Sequence, residues 1–165
     1  PKGVYRFDPK NGDLSVVTGD LKMPNGIAFS LDEKILYLID SAAIQAPGTY
    51  YQSNPHAIYA FDVGGDGKTL SNKRTLAVIS PGFPDGMRLD KEGNIYVGAM
   101  DGVHVLNPQG KLIGKILLPK QTANLTFGGK DNNVLFICSS DSIWAIKLNT
   151  QGAKAIPVLR TSVQQ

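Results

Sequence analysis

Apolar and polar residues alternate with period two along most of the chain. Val4-Tyr5-Arg6-Phe7, Ala57-Ile58-Tyr59-Ala60-Phe61, Gly102-Val103-His104-Val105-Leu106 and Ser142-Ile143-Trp144-Ala145-Ile146 are short runs rich in β-branched and aromatic residues. Turn-forming stretches follow them, such as Lys10-Asn11-Gly12-Asp13, Gly64-Gly65-Asp66-Gly67 and Gln109-Gly110. Strand, tight turn and strand is the signature of a hairpin. Turn signals recur every eight to twelve residues, which predicts strands throughout and no long helix. The longest apolar runs, Ile35 to Ile39 and Val134 to Cys138, are strand-sized. They fall far short of the ~18 apolar residues a membrane helix needs.

The pattern repeats. Matching Val4, Ile58, Val103 and Ile143 gives intervals of 54, 45 and 40 residues. A second landmark also recurs: Asn25-Gly26-Ile27, Asp85-Gly86-Met87 and Ala123-Asn124-Leu125 each lead through a polar turn into a strand. Two hairpins per repeat make a four-stranded unit of the size of a β-propeller blade. The repeats are read at approximately residues 3–56, 57–101 and 102–141, with a partial fourth at 142–165. Propellers close with about 4–8 blades, and an open ring exposes sheet edges. The rest of the ring is therefore expected on a second chain, or lost from this one.

Composition narrows the function. Charged residues are 19% of the chain and the net charge is +3, from basic residues scattered rather than clustered. Neither a nucleic-acid interface nor a membrane span is expected. The single cysteine, Cys138, lies inside an apolar run and is expected to be a buried, inert thiol. Asn124-Leu125-Thr126 fits a glycosylation sequon and points to secretion over the cytoplasm. No Gly-x-Ser-x-Gly elbow is present. His104 is expected to pack or face solvent, without a metal-spaced partner. Asp62 to Gly67 has the look of a cation loop but lacks its third-position ligand and closing Glu, so it reads as a hairpin turn.

The candidate chemistry lies at the second landmark. In a propeller the innermost strand of each blade lines the channel, and a residue at its start can face the channel mouth. Asn25 and Asp85 place an amide oxygen and a carboxylate at the same point of adjacent blades. Such hard oxygens form half of a site for Ca²⁺. Ala123, at the third position, contributes nothing. Asp40-Ser41 ends a strand near this mouth and heads an insertion, Ala42 to Pro55, that either overhangs the site or decorates it.

At these residues the chain resembles the gluconolactonase family, which includes regucalcin (senescence marker protein) and the fungal lactonohydrolases. The matching stretches are Met23 to Ser30, Leu36 to Ser41, Ala57 to Val63, Pro84 to Met87, Gly93 to Val97, Gly102 to Ile116 and Asn124 to Gly129. Fungal lactonohydrolases look nearest, through Gly102 to Ile116 and the insertion. The resemblance implies a six-bladed all-β propeller, of which this chain supplies about three to three and a half blades as its C-terminal half. It implies one divalent metal in the channel, Ca²⁺ first, with Zn²⁺, Mn²⁺ or Mg²⁺ as substitutes. Asn25 and Asp85 match two of the family's ligands; a Glu and another Asn come from earlier blades. The expected reaction is hydrolysis of a sugar lactone, with the metal polarising the carbonyl and Asp85 as the base. The partners expected are a small lactone and a second polypeptide carrying the N-terminal blades. The alternative is a non-catalytic propeller, a binding module or calcium-binding scaffold. Pairing of two copies into one ring ranks below the split chain.

Overall fold

The structure, a computed structural model, describes residues 2–44 and 49–154. Pro1, residues 45–48 of the insertion and 155–165 of the fourth repeat lie outside the described residues. Thirteen strands and no helix occur among those described. None therefore offers a helix long and apolar enough to cross a membrane.

All strand pairing is antiparallel between chain neighbours. β1 (Val4–Phe7) and β2 (Leu14–Thr18) form a two-stranded sheet. β3 (Pro24–Phe29), β4 (Ile35–Asp40), β5 (Ala57–Val63) and β6 (Leu70–Val78) form a four-stranded sheet. A second sheet of four holds β7 (Met87–Leu89), β8 (Ile95–Ala99), β9 (Gly102–Leu106) and β10 (Leu112–Leu117). The last has three: β11 (Thr122–Gly128), β12 (Val134–Ser139) and β13 (Ser142–Lys147). These are β-propeller blades, a little over three in all. The four alike segments of the sequence are β1, β5, β9 and β13, the third strands of successive blades. The sequence repeat thus runs half a blade out of phase with the sheets.

Alternation explains how the blades stack. In β4, Tyr37 and Ile39 face the β7–β10 sheet, where they join Ile58, Met87, Ile95 and Val97. Leu36 and Leu38 face the other way, towards β1–β2, with Leu21 and Phe61. A strand covered on both faces reads as an unbroken apolar run. Burying each such side chain stabilises the fold by about 1.5–3 kcal/mol. The third core, between the β7–β10 and β11–β13 sheets, holds Tyr96, Val103, Leu125, Leu135 and Ile137.

The outer faces of the stack are uncovered. At one end Tyr5, Phe7, Leu14 and Val16 are exposed; they are cross-strand neighbours, Tyr5 with Val16 and Phe7 with Leu14. At the other end Phe136 and Ile143 are exposed, the latter 77%. Cys138 shares that face and is exposed too, so the expectation of a buried thiol is corrected. In β12 Leu135 and Ile137 pack inwards, and Phe136 and Cys138 point away where no sheet covers them. Cys138 of the native 165-residue chain should accept one equivalent of a thiol reagent without denaturant. Protection until unfolding would show that this face is covered.

Candidate functional site

The second landmark is a β-bulge on each inner strand. In the β3–β4 pair, Pro24 opposes Asp40 and Ile27 opposes Leu38, so Asn25 and Gly26 together face Ile39. Ahead of β7, Asp85 N–H donates to the Gly98 carbonyl at 3.1 Å and Gly98 N–H to the Gly86 carbonyl at 2.9 Å. Two residues again stand against one before Met87 meets Val97. In β11 the extra residue is Ala123, between the Thr122–Ser139 and Asn124–Cys138 pairs. A bulge breaks the alternation and re-aims a side chain. At Asp85 it breaks the alternation of burial, since Gly86 and Met87 are both buried, whereas β3 keeps its alternation through Asn25.

The bulges of adjacent blades touch through backbone. A Cβ on Gly26 would run into the Asp85 carbonyl, and one on Gly98 would lie 2.5 Å from the Thr122 carbonyl. Gly86 N–H donates to the Ala123 carbonyl at 2.8 Å, tying the second and third inner strands. This close approach brings the two candidate residues near one another: the Asn25 side chain lies close enough to the Asp85 carboxylate to favour its charged form. Burial pushes the Asp85 pKa above the ordinary 3.8, and Asn25 offsets that only in part.

Asp40 and Ser41 hold the approaches to this pair. The Asp40 carboxylate, itself buried, accepts from the backbone N–H of Lys22 at 2.8 Å, Met23 at 3.0 Å and Ala42 at 3.1 Å. Ser41 Oγ donates to the Pro84 carbonyl at 2.6 Å. Sequence reading placed these two residues near the mouth without giving them a role. The signal available was a polar pair closing a fully apolar strand. The insertion reaches the same loop, where Tyr50 Oη donates to the Gly82 carbonyl at 3.1 Å.

Other sequence candidates fall elsewhere. His104 packs, one of the two expected outcomes: its side chain is 3% exposed, and Nε2 lies 2.6 Å from Asp101 Oδ1. The β8–β9 turn folds Asp101 back onto β9, and Lys115 reaches its other oxygen at 2.8 Å. Burial raises the Asp101 pKa, but the Lys115 and His104 bonds outweigh it and hold the carboxyl below 3.8. Asp66 Oδ1 accepts from the N–H groups of Lys68 and Thr69 within the β5–β6 hairpin, as a turn residue does. Asn124 lies on an inner strand, accepting from Leu125 N–H at 2.9 Å and packed against Gly86, rather than on the surface loop a sequon suggests. A surface groove lined by Ala28, Ser30, Arg88 and Lys154 takes in neither Asn25 nor Asp85.

Among the described residues no group of three or more His, Cys, Asp or Glu could hold a metal. The donors at the mouth are one carboxylate and one amide oxygen, without sulfur or imidazole. An Asn that donates through its nitrogen keeps its oxygen free. The pair therefore fits one side of a hard-cation site and needs oxygens beyond those that the described residues bring together there.

The sequence profile of the SMP-30/Gluconolactonase/LRE-like region matches residues 1–141. The chain belongs to this family. It is 35% identical over 161 residues to lactonohydrolase oryH of Aspergillus oryzae, covering 90% of this chain and 34% of that protein. It is 34% identical over 145 residues to regucalcin of Danio rerio, covering 83% of this chain and 44% of that protein. A solved gluconolactonase from Xanthomonas campestris superposes with a TM-score of 0.73 at 32% identity, covering 88% of this chain and 44% of that one. The chain thus spans less than half the length of the family members it matches here.

Two predictions follow from this geometry. Gly98→Ala, forced against the Thr122 carbonyl, should cost about 1–3 kcal/mol in denaturant unfolding. Gly114→Ala, with open space around its Cβ, should be neutral or slightly stabilising. For Asp101, a depressed native pKa means stability that is present above the unfolded-state value and lost as pH falls through the native one. The stability gap between the parent and Asp101→Asn should therefore be steady at neutral pH and close as the pH drops below 3.8.

Proposed function

We propose that this chain supplies one side of a channel-mouth site that binds a divalent cation, Ca²⁺ first, and hydrolyses a sugar lactone. The observation that carries this is the approach of Asn25 to Asp85, brought from two successive blades by bulges whose backbones meet at Gly26 and the Asp85 carbonyl. Family membership supports lactone hydrolysis as the reaction class, and the hard-oxygen donors support the choice of cation. A cation held by Asn25, Asp85 and oxygens from further blades would polarise the lactone carbonyl.

The chain's own residues do the rest. Asp85 accepts a proton from the attacking water as its oxygen bonds to the carbonyl carbon. Its second oxygen remains for the cation. When the ring C–O bond breaks, Asp85 returns the proton to the departing oxygen, leaving a hydroxy acid. Asn25 fixes the carboxylate through its amide and offers a neutral oxygen, so it adds no competing charge.

The remaining blades would come from a second polypeptide. The uncovered apolar faces at Tyr5, Phe7, Leu14 and Val16 and at Phe136 and Ile143 support neighbouring blades at both ends of the stack. Native mass spectrometry with and without chelator tests the assembly and its metal together. A second polypeptide with one Ca²⁺ per complex is expected; a chain that stays alone and metal-free would overturn the reading.

Asp85→Asn should abolish Ca²⁺ binding and lower kcat on gluconolactone by at least about 10²-fold. The same change should raise the thermal stability of the metal-free chain at neutral pH. The sign follows from the raised native pKa: the stabilisation it brings is complete below the unfolded-state pKa and lost as pH rises through the native one. Unchanged turnover in this variant would exclude Asp85 from the chemistry.

A further inference from the structure

We infer that Ser41 is a positioning residue that sets the spacing between Asn25 and Asp85. This rests on the functional reading of that pair, and it goes further by assigning a role to a residue that touches neither substrate nor cation.

Ser41 lies at the end of β4 and is 2% exposed. It grips both arms of the site. Its N–H donates to the Met23 carbonyl at 3.0 Å, two residues before Asn25. Its Oγ donates to the Pro84 carbonyl at 2.6 Å, one residue before Asp85. The preceding Asp40 holds the N–H groups of Lys22 and Met23, so the arm to Asn25 is fixed from both sides. Pro84 has no N–H, and its carbonyl is the only backbone hydrogen-bonding group by which it can be held. The Ser41 hydroxyl thus ties the Asp85 approach to the blade that carries Asn25, one residue from Asp85 and nearer to it than the Tyr50 bond to the Gly82 carbonyl.

The chemistry of the position supports this. A buried hydroxyl costs stability unless it is bonded, and a space-filling role would be met by alanine. Alanine is what the chain uses at the next two positions, Ala42 and Ala43, both fully buried. Groups that orient ligands without touching the ion change metal affinity by about 10–100-fold when removed.

Two readouts separate this role from simple packing, the first on the full chain and the second on its assembly with the remaining blades. The first is the Asn25 side-chain amide proton resonances without metal, which report its approach to Asp85. The second is calcium affinity by calorimetry. Ser41→Ala should move the Asn25 resonances towards those of a free asparagine and weaken Ca²⁺ binding by about 10-fold or more. Ile58→Val, a packing change at a fully buried site on β5, should move neither. Ser41→Cys keeps the volume and weakens the donor; it should give a smaller shift, and it carries the test if the alanine variant does not fold. Asn25 resonances unchanged in the variants would overturn the positioning role. A parent assembly that binds no Ca²⁺, while the Ser41 variants still shift Asn25, would uphold the role and overturn the functional reading.

Discussion

Backbone contact between the inner strands sets the geometry from which the candidate site follows. Gly26 lies against the Asp85 carbonyl and Gly98 against that of Thr122, with no side chain between. Gly86 N–H bonds directly to the Ala123 carbonyl at 2.8 Å. Strands this close leave no room for alternating side chains at the contact, so the pleat has to be interrupted there. The bulges are that interruption. Each frees one side chain from the inter-sheet core, and adjacent blades present theirs side by side. Packing at the narrow end of the blades and display of Asn25 and Asp85 are two consequences of the same local geometry.

Much of this was legible in the sequence, and the reason is periodicity. Strands, hairpins and the blade unit follow from alternation and turn residues, which are local properties. The phase was not legible, because the segments that look most alike are the third strands, whereas the spatial unit begins at the bulge. Asn25 and Asp85 were visible because the same short motif recurs at both. Ser41 was not, since its role depends on the register that sets Asp40 opposite Pro24 and on a contact with a residue 43 positions away. His104 packs as the strand suggested, but its partner was missed because Asp101 looks too near in sequence to matter. The tight β8–β9 turn makes it a cross-turn partner instead.

Cys138 shows the limit of reading burial from hydropathy. Val134 to Cys138 and Ile35 to Ile39 are equally apolar, and only the second run is covered on both faces. The difference lies in which sheets flank each strand, and no residue inside the run encodes that. Hydropathy reports the burial for which a strand is suited, so an exposed apolar face on such a strand is itself information about a missing neighbour.

The third bulge serves as an internal control for the first two. Ala123 occupies it, and the strand still bulges, still pairs with β12 and still bonds the neighbouring inner strand. The backbone geometry therefore does not require an oxygen-bearing side chain at this position. Asp85 goes further, because burial opposes its ionisation and, at neutral pH, ionisation makes it a cost to the fold. A neutral residue there would be better tolerated, as Ala123 is in the next blade. On the proposed function, the carboxylate beside Asn25 serves the cation rather than the stability of the propeller.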